Sequence, residues 1–264
     1  MAKKILPTAL VVKRQDITDD LMKLWLKPPQ EFQSFKPGQY CTIGINGIER
    51  PYSVVSAPHE ALVEIFLELI PDKFRTPTSL TPKLWKLHEG DNVSMRQKAK
   101  GTFLLDELVP VHVMISTVTG VAPFVSMLRA MRNGYYTSLG PYKWFHLFQG
   151  ASYFCEFGYN EELETYDNEM GVMGEENHRP IFYIPTVSRP DENLNKSWTR
   201  QTGRVNVIVE DYFDDMSIRT KDATIYLCGN EGMVDDLGNT KPTSDKPLGK
   251  LIAKGYNVKQ EIFF

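Results

Sequence analysis

The sequence predicts two domains, an N-terminal antiparallel β-barrel followed by an α/β domain built on a parallel sheet. The length of 264 residues suits about two domains of roughly 150 residues each. The first ~105 residues form short runs rich in Val, Ile, Tyr and Phe between turn signals, whereas the later residues alternate apolar strands with helical segments. We therefore assign residues 1–107 to the barrel and residues 108–264 to the α/β domain.

The predicted barrel strands are short apolar runs bounded by turn residues: Ala9–Val12, Leu21–Leu26, Tyr40–Ile45, Tyr52–Val55 and Val63–Ile70. The pair Asn46-Gly47 predicts a tight hairpin, because both residues tolerate a positive φ. Closure of these strands into a barrel would remove the exposed sheet edges. One short helix is predicted at Thr78–Leu87.

In the second domain, predicted strands alternate with predicted helices. Its predicted strands are Val111–Ser116, Trp144–Gln149, Ile181–Thr186, Ala223–Cys228 and Asn257–Phe263. Its predicted helices are Pro123–Arg132, Asn160–Asn168, Val205–Tyr212 and a segment from Gly232 onward. This alternation predicts a parallel sheet with helices on both faces, and such sheets bind ligands beyond the carboxyl ends of their strands.

Composition and charge exclude several classes of protein. The net charge of -3 argues against a nucleic-acid binder, which is usually basic, and no segment approaches the ~18 apolar residues of a membrane span. The three cysteines lie far apart, so we expect neither disulfides nor an iron–sulfur cluster, and a reducing, cytoplasmic location fits best. The histidines show no metal-ligand or catalytic-triad spacing, and we predict no metal site.

The sharpest chemical signal is the tetrapeptide Arg50-Pro51-Tyr52-Ser53, which follows the predicted hairpin. Because alternate side chains of a strand share a face, Arg50 and Tyr52 point one way and Ser53 the other. Arg50 offers a planar fork suited to a phosphate, and Tyr52 offers a ring that stacks on a flat heterocycle. On its own the tetrapeptide also fits an ordinary surface strand.

Further motifs accompany the tetrapeptide along the chain: Pro37-Gly38-Gln39-Tyr40, Leu80-Thr81-Pro82 with Gly90-Asp91, Lys100-Gly101-Thr102-Phe103, Thr119-Gly120-Val121-Ala122-Pro123-Phe124, Ser188-Arg189, Gly203-Arg204, Leu227-Cys228-Gly229-Asn230 with Met233, and Glu261-Ile262-Phe263-Phe264. In this order they resemble the signature of the ferredoxin–NADP⁺ reductase family over nearly the whole chain. The resemblance is closest to the bacterial branch that uses ferredoxin or flavodoxin and has no iron–sulfur domain.

The resemblance implies that the barrel binds FAD. Arg50, Gly101 and Thr102 would hold the FAD phosphates, and Gly101 would let backbone amides approach a pyrophosphate without a Cβ in the way. Tyr52 would stack on the isoalloxazine, and Ser53 would lie near flavin N5. A C-terminal aromatic residue would stack on the flavin until nicotinamide displaces it, and the candidates are Phe263 and Phe264.

The resemblance also implies that the α/β domain binds NADPH as substrate. Thr119 and Gly120 belong to the nucleotide loop, where the start of a helix favours phosphate. The residues implied at the 2′-phosphate are Ser188, Arg189 and Arg204. NADH has no 2′-phosphate, so the two arginines favour NADPH. Cys228 and Glu261 would line the hydride-transfer pocket, and with Ser53 they form the predicted catalytic set.

Two positions depart from the family pattern. Val118 stands where the nucleotide loop commonly has its first glycine, and a β-branched residue there narrows the options of the backbone. Ser152 stands where related bacterial enzymes often have an arginine for the 2′-phosphate. Both departures bear on the choice between NADPH and NADH, and neither bears on FAD.

The implied activity is transfer of a hydride from NADPH to flavin N5, followed by single-electron transfer to ferredoxin or flavodoxin. Three alternatives stay open: an NAD(P)H:flavin reductase, the reductase subunit of an oxygenase, and a non-catalytic flavin-binding subunit. The basic cluster Arg96, Lys98 and Lys100 either steers an acidic carrier or is a solvated strand end. The acidic segment 156–176 is interpreted as a solvated surface rather than a docking site.

Overall fold

The computed structural model describes residues 6–137, 139–140, 143–169 and 180–262. The chain forms two compact units. The first unit comprises the residues up to Leu105 together with Ala122–Tyr135, and the second comprises Asp106–Val121 together with the residues from Tyr136 onward. The domain boundary between residues 107 and 108 stays a prediction.

The first unit contains six strands in an antiparallel sheet of order β4-β3-β6-β1-β2-β5. The strands are β1 (Thr8–Asp16), β2 (Leu21–Lys27), β3 (Tyr40–Ile45), β4 (Ile48–Ser53), β5 (Val63–Glu68) and β6 (Asn92–Met95). The hairpin between β3 and β4 is confirmed, because Asn46 and Gly47 have φ values of 53° and 82°. Helix α1 (Thr81–Leu84) is shorter than predicted.

The six-stranded sheet wraps around an apolar core but is not a fully hydrogen-bonded closed barrel. No ladder joins β4 to β5 among the described residues. The chain just after β4 bridges the gap instead: the Val55 amide donates to Glu64 O at 2.9 Å, and the Glu64 amide donates to Ser56 Oγ at 2.7 Å. The two edges are thus joined by irregular hydrogen bonds rather than by a ladder.

Helix α2 (Ala122–Arg132) also packs in the first unit. Ser126 Oγ donates to Ser56 O at 2.7 Å, and Arg129 Nη1 lies 2.6 Å from Glu64 Oε2. Glu64 is only 1% exposed. A carboxylate buried to this degree needs a charged partner, so the ion pair fastens α2 to β5.

The second unit is built on a parallel sheet of order β10-β9-β8-β7-β11-β12. Its strands are β7 (Val111–Thr117), β8 (Trp144–Ala151), β9 (Ile181–Val187), β10 (Gln201–Thr202), β11 (Ala223–Gly229) and β12 (Asn257–Ile262). Its helices are α3 (Asn160–Asn168), α4 (Val205–Asp215), α5 (Glu231–Gly238) and α6 (Lys250–Ala253). The predicted α/β architecture is confirmed.

The core of the second unit explains the apolar strand sequences. Val113, Ile115, Ile225 and Leu227 are fully buried between sheet and helices. Because helices cover both faces of a parallel sheet, its strands have continuous apolar sequences, which is the pattern seen in β7 and β11. None of the helices in the described ranges is long and apolar enough to span a bilayer.

Candidate functional site

The tetrapeptide that carries the flavin signature lies at the end of β4. The pairing of β3 with β4 is regular, with Tyr40 opposite Ser53 and Ile43 opposite Arg50. Arg50 and Tyr52 therefore share one face of the sheet, and Ser53 lies on the other face.

Ser53 is buried, and its Oγ has no hydrogen-bond partner among the described residues. A buried hydroxyl without a partner is destabilising, so such an atom requires an explanation. One such explanation is a bound ligand that supplies the missing hydrogen-bond partner. The side chain predicted to lie near flavin N5 is thus the orphaned polar atom at the end of this strand.

Tyr52 and Arg50 differ in their surroundings. Tyr52 packs against the apolar core, and burial raises the pKa of its phenol above the usual range although the nearby Arg50 opposes the shift. The ring is therefore neutral and suited to stacking. Arg50 is exposed and donates to the carbonyl oxygens of Glu49 at 2.8 Å and Thr78 at 3.2 Å. These partners are neutral, so the charge of Arg50 is available to a phosphate.

The Gly101 turn is held beside β3. Tyr40 and Lys100 exchange two backbone hydrogen bonds of 2.9 Å, and Gly101 follows with a φ of 107° that favours glycine. Gln39 joins this turn to the end of β4: its Nε2 donates to Gly101 O at 3.1 Å, and its carbonyl accepts from the Val54 amide at 3.0 Å. Gln39 is a positioning residue that the sequence motif contained without revealing its role.

On the second unit the predicted residues lie at the carboxyl edge of the parallel sheet. Arg189 lies two residues beyond the end of β9, and Arg204 lies two residues beyond the end of the adjacent β10. The loop with Gly120 follows the central strand β7, and Cys228 lies near the end of β11. At ~4.8 Å per strand, β9 and β11 are roughly 14 Å apart. The two arginines and the Cys228 region thus flank the nucleotide loop.

The nucleotide loop packs against the end of β11 without room for a side chain. A Cβ added at Gly120 would lie 2.1 Å from the carbonyl oxygen of Cys228. Thr117 Oγ1 accepts a hydrogen bond of 2.7 Å from the Asn230 amide and fixes the second loop. Gly120 lies in a 3₁₀ turn that spans Val118–Val121, and the helix predicted at Pro123–Arg132 is α2, which begins at Ala122. Thr119 is half-buried within this turn.

Val118 has a φ of 41°, in the left-handed region that β-branched residues avoid. Such a conformation costs about 1–3 kcal/mol and persists only where the surroundings enforce it. Here the side chain packs against Ala151, Phe157 and Val187, and the Val118 carbonyl accepts from Gln149 Nε2 at 3.3 Å. The loop therefore keeps a backbone shape suited to glycine although its residue is valine.

Cys228 and Glu261 occupy paired positions on β11 and β12. Burial raises the pKa of the Cys228 thiol well above its usual range, and the charge of Glu261 acts in the same direction. Burial also raises the pKa of Glu261 to about 7, and its Oε2 has no hydrogen-bond partner among the described residues. Cys228 is thus a neutral thiol beside a carboxyl group that titrates near neutrality.

Ser188, Arg189 and Arg204 are all exposed. Arg189 Nη1 donates to Tyr153 Oη at 2.9 Å and lies 3.5 Å from Glu192 Oε1. No carboxylate among the described residues pairs with Arg204. The sequence did not reveal the contacts of Tyr153 and Glu192, since neither residue belongs to a motif.

Some predicted features lie outside the described residues. Phe263 and Phe264, the candidates for stacking on the flavin, are among them, as is the part of the acidic segment from residue 170 to 176. In the basic cluster, Arg96 forms two hydrogen bonds with the Glu49 carboxylate at 3.0 and 2.7 Å. Of that cluster, Lys98 and Lys100 are exposed and have no carboxylate partner in the part of the chain that the structure describes.

Known proteins resemble this chain across both units. The model of the oxidoreductase NAD-binding domain matches residues 114–238. A flavodoxin/ferredoxin–NADP reductase of Buchnera aphidicola subsp. Baizongia pistaciae is 27% identical over 243 residues, which cover 88% of each chain. That of Escherichia coli K12 is 29% identical, with 87% of each chain covered. A ferredoxin NADP⁺ reductase structure from Neisseria gonorrhoeae with bound FAD and NADP is 20% identical, covers 99% of this chain and all of that one, and gives a TM-score of 0.72.

Proposed function

We propose that this chain is a member of the ferredoxin/flavodoxin–NADP⁺ reductase family and that it transfers electrons between NADPH and a one-electron carrier through bound FAD. The observation that carries the proposal is the order of strands along the carboxyl edge of the parallel sheet. This order sets Arg189 and Arg204, which follow β9 and β10, on one side of the nucleotide loop and the Cys228–Glu261 pair on the other. An extended dinucleotide with a phosphate at one end fits this layout.

The first unit supplies the flavin side of the reaction. Arg50 and the amides of Gly101 and Thr102 bind the FAD phosphates, and Tyr52 packs on the ring system. The Ser53 hydroxyl, which is buried and has no partner within the described ranges, hydrogen-bonds the reactive edge of the ring. When bound, FAD supplies the exchange between a two-electron donor and a one-electron carrier.

The second unit binds and orients the pyridine nucleotide. Thr119 and Gly120 hold the pyrophosphate, while Ser188, Arg189 and Arg204 bind the 2′-phosphate. Cys228 presents a neutral thiol to the nicotinamide, and Glu261 holds or releases a proton near neutral pH. Of Phe263 and Phe264, which both lie outside the described residues, one would stack on the flavin.

The test is an anaerobic titration of the purified protein with NADPH and then NADH, following the flavin absorption band. Bleaching by NADPH supports the reductase, and transfer onward to ferredoxin or flavodoxin identifies the carrier. A yellow protein that neither nucleotide bleaches contradicts the proposal and indicates a non-catalytic flavin-binding subunit. A protein that loses its flavin on purification but reduces added flavin indicates a flavin reductase.

The proposed carrier is ferredoxin or flavodoxin, steered by Lys98 and Lys100. Both lysines are exposed next to the Gly101 turn, whereas the charge of Arg96 is neutralised by Glu49. We expect a Lys98→Ser, Lys100→Ser double variant to slow carrier reduction at low salt and to leave ferricyanide reduction intact. Arg96→Ser is the matched control and has a smaller effect. Equal loss in both assays contradicts the docking surface.

We also propose that the protein is cytoplasmic. Cys41 and Cys228 are buried thiols that form no disulfide. Reduced thiols of this kind suit a reducing compartment.

A further inference from the structure

Arg189, the proposed ligand of the 2′-phosphate, already has a carboxylate partner of its own. Its Nη1 lies 3.5 Å from Glu192 Oε1 and donates to Tyr153 Oη at 2.9 Å. The Tyr153 hydroxyl in turn donates to the second carboxylate oxygen of Glu192. The guanidinium also lies over the Tyr153 ring, with its carbon 5.4 Å from the ring centroid. We call these three residues the Arg189 cluster.

The Arg189 cluster is held by a buried amide rather than formed by free surface side chains. Asn195 is 2% exposed, and its Nδ2 donates to the carbonyl oxygens of Ser152 and Arg189, both at 2.8 Å. Its Oδ1 accepts from the Phe154 amide at 2.9 Å. Asn195 thus ties the loop after β8, which carries Tyr153, to the loop after β9, which carries Arg189.

A second carboxylate shapes the loop after β8. Glu156 Oε2 accepts from the amides of Ser152 and Tyr153 at 2.8 and 3.2 Å. Ser152 and its neighbours in this loop bring no positive charge to the site. The site therefore holds the Glu192 carboxylate against Arg189 without a cation from the loop after β8 to offset it. Only Arg204, beyond β10, has no described carboxylate partner.

We propose that Glu192 determines coenzyme specificity by weakening the binding of the 2′-phosphate at Arg189, so that the enzyme accepts NADH alongside NADPH. The inference rests on the proposed function. A 2′-phosphate must displace or approach the Glu192 carboxylate to reach the guanidinium, and the two negative charges repel. A free ribose 2′-hydroxyl has no such penalty and donates a hydrogen bond to the same carboxylate.

The experiment measures the binding of two nucleotides that differ only in the 2′-phosphate. Adenosine 2′,5′-bisphosphate and adenosine 5′-monophosphate are titrated calorimetrically into the holoenzyme and its Glu192→Gln variant. Removal of one exposed carboxylate beside a bound phosphate tightens bisphosphate binding about fivefold at low salt. The monophosphate binds no more tightly than before. The KM for NADPH falls accordingly while kcat stays the same, and high salt reduces the difference.

Glu164→Gln is the matched control. Glu164 pairs with Arg200 at 2.8 Å on the same unit and has a similar exposure, but it belongs to no proposed site. It should change neither affinity.

Three results overturn the inference. The first is bisphosphate binding by Glu192→Gln that is unchanged or weaker than in wild type. The second is an equal change in the affinity for the bisphosphate and the monophosphate. A wild-type protein that binds neither nucleotide overturns the proposed function together with the inference.

Discussion

Cys228 lies directly opposite Glu261 in the parallel pairing of β11 with β12. Paired residues of adjacent strands project from the same face of a sheet, so the thiol and the carboxyl group are neighbours. Cys228 is fully buried, and the Glu261 Oε2 atom has no described hydrogen-bond partner. The ionised form of either group disfavours the ionised form of the other, and at least one of them stays neutral around pH 7.

The first prediction concerns the pH dependence of stability at Glu261. Burial raises its pKa from 4.5 to about 7 in the folded chain. Between these values the folded chain keeps a proton that the unfolded chain has lost, so the free energy of unfolding falls as the pH rises and levels off above about 7. Glu261→Gln has no such loss, and we expect it to be more stable than wild type by about 1–3 kcal/mol near pH 8.

Urea denaturation of both proteins across this range measures the difference. The two stabilities should converge below about pH 4, where the carboxyl group is mostly protonated in both states. A difference that stays constant from acid to alkaline pH would show that Glu261 ionises normally in the folded protein.

The second prediction separates stability from activity at Ser53. Because its hydroxyl is buried without a partner among the residues that the structure describes, Ser53→Ala should leave the flavin-free protein as stable as wild type or up to about 1 kcal/mol more stable. The same change removes a hydrogen bond to the bound flavin and should slow its reduction by NADPH about 10- to 100-fold. Thermal unfolding and anaerobic stopped-flow absorbance measure the two effects.

Ser126 provides the matched control for Ser53. It is a buried serine of the same unit, but its Oγ donates to Ser56 O at 2.7 Å. Ser126→Ala should therefore destabilise the protein by about 1–3 kcal/mol. A Ser53→Ala variant that behaves like Ser126→Ala, or one that reduces flavin at the wild-type rate, would contradict the proposed role of Ser53.

The fold was largely predictable because its signals are local. The Asn46-Gly47 turn and the apolar runs of the parallel strands are each determined by a few consecutive residues. Helix α1 was predicted at Thr78–Leu87 but spans only Thr81–Leu84, with Pro82 in its first turn, a position that suits the start of a helix. Strand β6 has only four residues and was recognisable only as a lead into a strand.

The sequence predicted the site residues that belong to recognisable motifs. It did not predict those that are placed only by tertiary contacts. Tyr153 and Glu192 are 39 positions apart, and their hydrogen bond exists only because β8 and β9 are adjacent. Asn195 and Gln39 have the same character, since each joins two loops that are distant in the sequence. A single sequence, read without its structure, does not show which distant residues come into contact.

The third prediction tests the backbone strain at Val118. Its φ of 41° is unfavourable for any residue with a Cβ, by about 1–2 kcal/mol, and neutral for glycine. Val118→Gly and Val118→Ala both lose the contacts with Ala151 and Phe157, but only glycine relieves the strain. We expect Val118→Gly to be more stable than Val118→Ala by about 1 kcal/mol, measured by denaturant unfolding. Alanine at or above the stability of glycine would contradict a left-handed backbone here.

The last prediction is acid destabilisation caused by two buried histidines. Burial lowers the pKa of His112 to about 3 and that of His146 to about 4. Each ring stacks on a phenylalanine and hydrogen-bonds a tyrosine hydroxyl, at 3.3 Å to Tyr226 and at 2.8 Å to Tyr212 respectively.

Below about pH 6.5 the histidines of the unfolded chain take up protons, whereas the two buried rings of the folded chain do not. The free energy of unfolding therefore decreases as the pH is lowered, by up to about 1.4 kcal/mol per pH unit for each histidine. His112→Gln and His146→Gln keep a polar partner for the tyrosine and remove the titration. Each variant should therefore show a shallower loss of unfolding free energy between pH 6.5 and about 4, and the double variant the shallowest. Calorimetric unfolding at several pH values measures these slopes. A slope equal to that of wild type in the double variant would mean that both histidines bind protons in the folded state as readily as in the unfolded chain.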